Sequence, residues 1–410
     1  MPERSEAASV QAPAPSRSSL FGGIYGRGAS AELSDQAWLQ AMLDVEAALA
    51  RGCAAEGLIP VAAGQEIASA CRAERFDLAQ LGREAADHAS PVVALVAALR
   101  KAVGDQLAGY VHLGATSQDV LDTAAMLVAD RALGPLLADA RAAAAAAARL
   151  ADLHRDTPMV ARTLLQQALP TSFGLRAAGW LVGIDEARAR LAEVRGHELA
   201  VQMGGPVGAR GPAVAARVAA ELSLAEPTLP WHAIRVRPAS LATALGELAG
   251  VLGKVARDVT LLAQEEVGEA HEGGSAGRGA SSAMTHKSNP VGAVSVLACV
   301  KRVPGLVATI LACMEQEHER AAGAWQAEWG TLTELLGLVG SATAWSRELL
   351  ENLELDPGRM RANLERLGER GVEEALAPER HLGAASELID RALAAHPDGA
   401  DAPPEPGGAR

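Results

Sequence analysis

Aromatic residues are scarce. Phe, Tyr and Trp make up 3% of the 410 residues, and β-branched residues are thin as well, so a sheet protein is excluded and an Ala-dominated, all-α chain is expected. Basic residues are also in the minority. Lys and Arg number 37 against 50 Asp and Glu, a formal charge of −13, and no basic stripe with interleaved aromatics runs along the chain. Nucleic acid is therefore not an expected partner, and an anionic small substrate would have to be held by a few local cations and backbone N–H groups. Cysteine is limited to Cys53, Cys71, Cys299 and Cys313, without C-x-x-C spacing and in apolar, helix-patterned surroundings, which argues against disulfides and against zinc. A charged n-region, apolar core and cleavage site are lacking at the start of the chain. The most conspicuous apolar tract, Ala142 to Ala148, is all Ala between Arg141 and Arg149, so no membrane association and a cytoplasmic location are expected.

What the chain does contain is material for long helices. At 49% hydrophobic it can bury a large core in two or three domains. Trp38, Met42, Val45 and Leu49 recur at helical spacing behind Ser34 and Asp35, which are placed to cap the start. The strongest period is Leu241, Leu245, Leu248, Leu252, Val255, Val259 and Leu262, a coiled-coil-like seam. Similar readings cover Leu121 to Leu153, Ser172 to Arg195, Val291 to Trp329 and Leu332 to Leu353, so long helices should form a central bundle. The expected plan is a disordered tail over 1–19, a helical N-terminal domain over 20–111, the bundle over 112–354, a C-terminal helical part over 355–394 and a second disordered tail over 395–410. An Ala-rich bundle with apolar positions on more than one face needs helices from other copies to cover them, so a homo-oligomer is expected.

The segment 273–290, GGSAGRGASSAMTHKSNP, interrupts two helical stretches. Its second half mixes hydroxyls, imidazole, ammonium and amide too specifically for a spacer. It resembles the G-S-S-x-M-P-x-K-x-N-P signature loop of the fumarase/aspartase superfamily, matching at Ser281, Ser282, Met284, Lys287, Asn289 and Pro290 and departing at Ala280 and Thr285, where the family has Gly and Pro. The resemblance implies that Ser281 exchanges a proton α to a carboxylate, with loop N–H groups and Lys287 lowering its pKa. It also implies that Ser282, Met284, Lys287 and Asn289 contact substrate. Such chemistry passes through an aci-carboxylate that needs several donors at once.

Two further segments fit the same superfamily. His112-Leu113-Gly114-Ala115-Thr116-Ser117-Gln118-Asp119 heads a helix, where Thr116 or Ser117 would cap and Asp119 and Asp122 would complement the dipole. The family's similar H-x-G-x-T-S-x-D segment implies that Thr116 and Ser117 bind a carboxylate and that His112 is an acid/base or carboxylate ligand. Arg162-Thr163-Leu164-Leu165-Gln166-Gln167-Ala168-Leu169-Pro170 is similar to the family's R-T-x-x-Q-x-A-x-P, implying substrate contacts from Arg162, Thr163 and Gln166. Fumarase and adenylosuccinate lyase place a His after that Thr and a partner Glu beyond the signature loop. Here those positions are Leu164 and Val294, so the pair is absent as a unit, which resembles the cycloisomerase branch.

Trp231-His232-Ala233-Ile234-Arg235-Val236-Arg237 is similar to that branch's W-H-x-x-R-x-R, implying substrate binding by His232, Arg235 and Arg237. Glu317-His318-Glu319-Arg320 and Trp325-Gln326-Ala327-Glu328-Trp329 resemble its E-H-E-R and W-x-x-E-W, although a solvated helix face would read the same way. The resemblance as a whole implies a homotetramer with each site built from three subunits, and it implies that the C-terminal helical part over 355–394 is truncated relative to the family. It implies ring closure of the tricarboxylate 3-carboxy-cis,cis-muconate to 4-carboxymuconolactone, with no metal and no cofactor. Rival expectations are a β-elimination lyase releasing fumarate and a non-catalytic scaffold.

Overall fold

The computed structural model describes residues 19–397 apart from 275, 276, 281, 282, 285 and 286. Most of both expected tails, and Ser281 and Ser282 within the signature loop, therefore lie outside the described residues. The N-terminal part is a set of short helices: α1 (Ser19–Tyr25), α2 (Asp35–Ala55), α3 (Val61–Ala70), α4 (Leu78–His88), α5 (Pro91–Val103) and α6 (Asp105–Ala108). Ser34 caps α2 as the sequence predicts, its hydroxyl accepting from Ala37 N at 3.1 Å.

The bundle starts with α7 (Ser117–Leu153), is interrupted by the hairpin β1 (Pro158–Thr163) and β2 (Gln166–Ser172), and returns in α8 (Phe173–His197). After α9 (Pro212–Leu222) come α10 (Val236–Leu262), β3 (Ala270–Glu272), α11 (Val291–Val300), α12 (Val303–Ala312) and α13 (Ala324–Glu351). The chain closes with β4 (Leu353–Leu355), antiparallel to β3, and with α14 (Pro357–Glu369) and α15 (Ala385–Ala395). Among the described residues the strands form two two-stranded sheets, so the all-α class holds. All seven residues of the α10 seam, Leu241 to Leu262, are buried.

One expected helix is broken twice. The run Val291 to Trp329 divides into α11, α12 and the first turn and a half of α13. Pro304 stands in the first turn of α12, where its missing N–H is harmless, but it cannot continue α11. The second break, 313–323, is made of good helix formers and is overridden by tertiary contacts of Arg320. Gly323 then starts α13 at φ 116°, a conformation other residues avoid.

The length of α7 fixes the geography of the molecule. Its 37 residues span about 55 Å. The His112 loop enters at its N-terminal end, and the 158–172 hairpin leaves from its C-terminal end. At the first end Arg235 and Trp325 both bond Asp122, so α10 and α13 begin there and run to the hairpin end. There Glu269 meets Arg162, and the signature loop leaves from β3.

Candidate active site

At the first end, three loops converge on Asp119, which is fully buried. Its carboxylate accepts Thr116 N at 3.0 Å, Gly204 N at 2.9 Å, Gly205 N at 2.8 Å and His232 Nε2 at 2.7 Å. Because a carboxylate only accepts, Nε2 of His232 carries the proton. His232 is thus one of the groups that hold the 204–211 loop, with its donor spent inside the protein. The close approach of the loops depends on missing side chains: a Cβ on Gly205 would lie 2.8 Å from Gly114 O, and Gly205 holds φ 72°.

His112 stands beside this hub in the left-handed region, φ 62°, an unusual conformation for a residue with a side chain. Its Nδ1 lies 2.6 Å from Oε1 of Glu46, a fully buried residue of α2 whose other oxygen has no partner among the described residues. The carboxylate fixes the proton on Nδ1, which leaves Nε2 as the ring nitrogen available for chemistry. Thr116 and Ser117 are half-buried at the head of α7, as the sequence predicts. Arg320 reaches across, donating to Thr116 Oγ1 at 3.2 Å, Gln118 Oε1 at 3.3 Å and Pro206 O at 2.9 Å. It has no carboxylate partner among the described residues, so a cation faces the hydroxyl of Thr116.

Arg235 has a different task from the substrate contact expected of it. It is buried, with Asp122 on one edge of its guanidinium (2.7 and 3.0 Å) and Glu328 on another (3.0 Å from Nε, 2.5 Å from Nη2). Burial opposes its charge, but the two carboxylates outweigh burial and hold its pKa above the ordinary value, while burial pushes Glu328 up. Asp122 also accepts from Trp325 Nε1 at 2.9 Å and Gln118 Nε2 at 3.0 Å. Every donor of Arg235 is therefore aimed at protein. Arg237, in the first turn of α10, donates to Glu198 O at 2.6 Å and is lowered by burial.

The hairpin end carries the other expected residues. Thr163 and Gln166 pair across a two-residue turn and are exposed. That turn, Leu164-Leu165, has φ 50° and 64°, the type I′ geometry that favours Asn-Gly. Its leucines are 97% and 77% exposed, so neither strain nor exposure is compensated within this chain. Arg162 corrects an expectation: it is paired with Gln167 on the opposite face from Thr163 and Gln166, and its fork is closed on buried Glu269 at 2.8 Å twice.

The signature loop is pinched at its base. Asn289 donates from both N and Nδ2 to Gly279 O, at 2.9 and 2.8 Å, and Ala280 bridges Ser288. The expected carboxylate ligand Asn289 thus closes the neck through its amide, with Met284 and Lys287 exposed on the segment beyond. Glu272 caps α11 by accepting Gly292 N and Ala293 N, both at 2.8 Å, which anchors the neck. Gly279 (φ 73°) has no room for a side chain: a Cβ would lie 2.4 Å from Asn289 O. Gly279→Ala is expected to open the neck and lower kcat by at least about tenfold with little change in melting temperature, since a 1 Å misplacement of reacting groups is worth up to about a hundredfold. Unaltered turnover in that variant would show that the neck does not position the tip.

Sequence reasoning missed Glu46, Asp119's role as hub and the 204–211 loop. The last had a visible signal, four glycines in Gly204-Gly205-Pro206-Val207-Gly208-Ala209-Arg210-Gly211. Glu46 had none, being one acid in a helix 66 residues from its partner.

Long antiparallel helices, a capped H-x-G-x-T-S-x-D loop and a pinched serine-lysine loop define an all-α lyase of the fumarase/aspartase type. A family model described as lyase matches residues 27–305, and the chain belongs to that family of enzymes. It is 47% identical over 344 residues, 82% of this chain and 76% of the relative, to 3-carboxy-cis,cis-muconate cycloisomerase of Bradyrhizobium diazoefficiens. It is 45% identical over 364 residues, 85% of this chain and 77% of the relative, to nitrosuccinate lyase of Streptomyces davaonensis. Among solved structures it is similar to 3-carboxy-cis,cis-muconate lactonizing enzyme from Pseudomonas putida, with a TM-score of 0.83 at 35% identity over 93% of this chain and 100% of that one.

Proposed function

We propose that this enzyme closes 3-carboxy-cis,cis-muconate to 4-carboxymuconolactone in the cytoplasm, as a homotetramer with composite sites. The observation that carries the reading is the apolar pair Leu164 and Val294, 97% and 51% exposed, where lyases that must protonate an amine or hydroxide leaving group keep a His and a Glu. Ring closure has no leaving group. A substrate carboxylate oxygen adds to the conjugated alkene, one C–O bond forms, and the carbon α to another carboxylate takes a proton. The reaction needs donors around the aci-carboxylate and a proton source, roles assigned to the loop that carries Ser281, Ser282 and Lys287. His112, oriented by Glu46, is the acid/base at the other end, and Thr116, Ser117 and Arg320 hold a carboxylate there.

Separation along α7 supports the composite site. Groups about 55 Å apart cannot touch one small molecule, so the His112 end of one copy must meet the hairpin and loop of others. Exposed apolar surface agrees: the 291–312 stretch has a mean hydropathy of 1.7 but is only 28% buried. Thr163, Gln166 and the Leu164-Leu165 tip would then enter a neighbour.

A second reading is favoured by the similarity to nitrosuccinate lyase. Elimination from a nitrosuccinate removes a proton α to a carboxylate onto an enzymic base, breaks the C–N bond on the next carbon and leaves fumarate and nitrite; nitrite departs without protonation, which also suits Leu164 and Val294. One assay separates the two. Purified enzyme is expected to bleach the ultraviolet absorbance of 3-carboxy-cis,cis-muconate and to produce no fumarate from nitrosuccinate. Fumarate production with a stable muconate chromophore would transfer the enzyme to the elimination reading.

A further inference from the structure

Beside the hairpin lies a cavity of about 820 Å³ whose cations have no role in the reaction proposed above. It lies on the face of the hairpin that carries Arg162 and Gln167, opposite Thr163 and Gln166, and α8, α10 and α14 supply its other walls. Five cations line it, although the protein as a whole is acidic. Two are neutralised in place, Arg162 by Glu269 and Lys254 by Asp258. Three are not. Among the described residues Arg366 bonds only the amide of Asn363, and Arg370 only the amide of Gln167, at 3.3 Å. Arg176 makes no hydrogen bond or ion pair among the described residues. Burial pulls its guanidinium below its ordinary value, Asp258 opposes that pull, the charge of Arg162 adds to it, and Glu269 offsets part of it.

Against these three guanidiniums the lining offers one uncommitted carboxylate, that of exposed Glu266. An uncompensated cluster of like charge is unfavourable unless an anion occupies it, and guanidinium forks match carboxylates in pairs of hydrogen bonds. The remaining wall is hydrocarbon, from Leu164, Leu165, Leu261, Leu262 and Val267. That combination suits an anion with a carbon skeleton better than inorganic phosphate.

We propose that this cavity is a second anion site, separate from the reacting centre, that takes a small organic polycarboxylate on Arg176, Arg366 and Arg370. Arg366 and Arg370 hold it at the mouth, and Arg176 reaches it from the floor. Because the cavity is partly walled by the turn Leu164-Leu165, an occupant also fixes the position of that tip.

The test is calorimetric titration of the assembled enzyme with tricarballylate, a saturated tricarboxylate that cannot undergo ring closure. A binding event is expected that survives Lys287→Ala, weakens at least tenfold in R366A/R370A and in Arg176→Met, and persists in Arg176→Lys. Both mouth residues are exposed, so R366A/R370A should fold normally, and its melting curve checks this. Absence of binding at millimolar tricarballylate would overturn the proposal. So would equal binding in R366A/R370A, or loss of all binding in Lys287→Ala, which would place the ligand in the reacting centre. Inorganic phosphate, titrated in parallel, is expected to bind at least tenfold more weakly, and equal affinity would overturn the organic-anion assignment. None of these readouts depends on which reaction the enzyme performs.

Discussion

Replacing Arg235 by Leu is expected to cost about 3–5 kcal/mol of folding stability, the range seen when one member of a buried ionic cluster is removed. The reason lies with the partners left behind. Asp122 and Glu328 are both buried and share this one guanidinium, so the variant confines two carboxylates in a low-dielectric site with no cation between them. Asp122 would keep Trp325 Nε1 and Gln118 Nε2, but Glu328 would keep only Gln316 Nε2, at 3.2 Å. Arg235→Lys should recover only part of the loss, since an ammonium cannot bond both edges at once. Denaturant unfolding of the soluble fraction measures this. If Arg235→Leu unfolded at the wild-type midpoint, the cluster would not hold α7, α10 and α13 together, and a direct role in substrate binding would return.

The largest expected catalytic effect within the described residues is at His112. His112→Ala should lower kcat by about 10²–10⁴, the usual worth of a positioned acid or base. Glu46→Gln should lower it less, by about 10–100-fold, the usual effect of losing a residue that orients a functional imidazole. The two substitutions should not add, because Glu46 acts only through the ring: Glu46→Gln introduced into His112→Ala should change nothing further. The split between kcat and KM distinguishes orientation from packing. Glutamine keeps the shape and changes only the acceptor of the Nδ1 proton, so Glu46→Gln should lower kcat with KM and melting temperature nearly unchanged, whereas a purely structural contact would lower the melting temperature and leave kcat of the folded fraction in place. A full second loss in the double variant would mean that Glu46 supports the fold and not the imidazole.

The parts of this molecule that were legible in sequence are those specified by near neighbours along the chain. The α10 seam is a local period, the Ser34 cap is a contact over three residues, and the head of α7 is written in four consecutive side chains. The signature loop is legible as a motif, but its pinched base is not, because the Asn289 side chain that closes it reads as a substrate ligand. What escaped was specified across the chain. Arg235 reads as a free cation because Asp122 and Glu328 are 113 and 93 residues away. Arg320 sits in a segment of good helix formers, and its three contacts with the 116–118 and 206 regions pull it out of the helix. The same logic separates Arg162 from Thr163: they are adjacent in sequence, but strand alternation sends them to different sides of the hairpin.

The Leu164-Leu165 turn bears on how the protein is made. A newly folded single chain would display two leucines at a strained tip together with the apolar flank of 291–312. In the assembly proposed above these surfaces are covered only once other copies arrive, so correct association would compete with indiscriminate sticking from the moment of synthesis. Both processes speed up with concentration, and slow translation offers no escape. Thr163, Gln166 and Gln167 flank the tip with exposed polar side chains, which bounds the apolar patch that a second copy would have to cover.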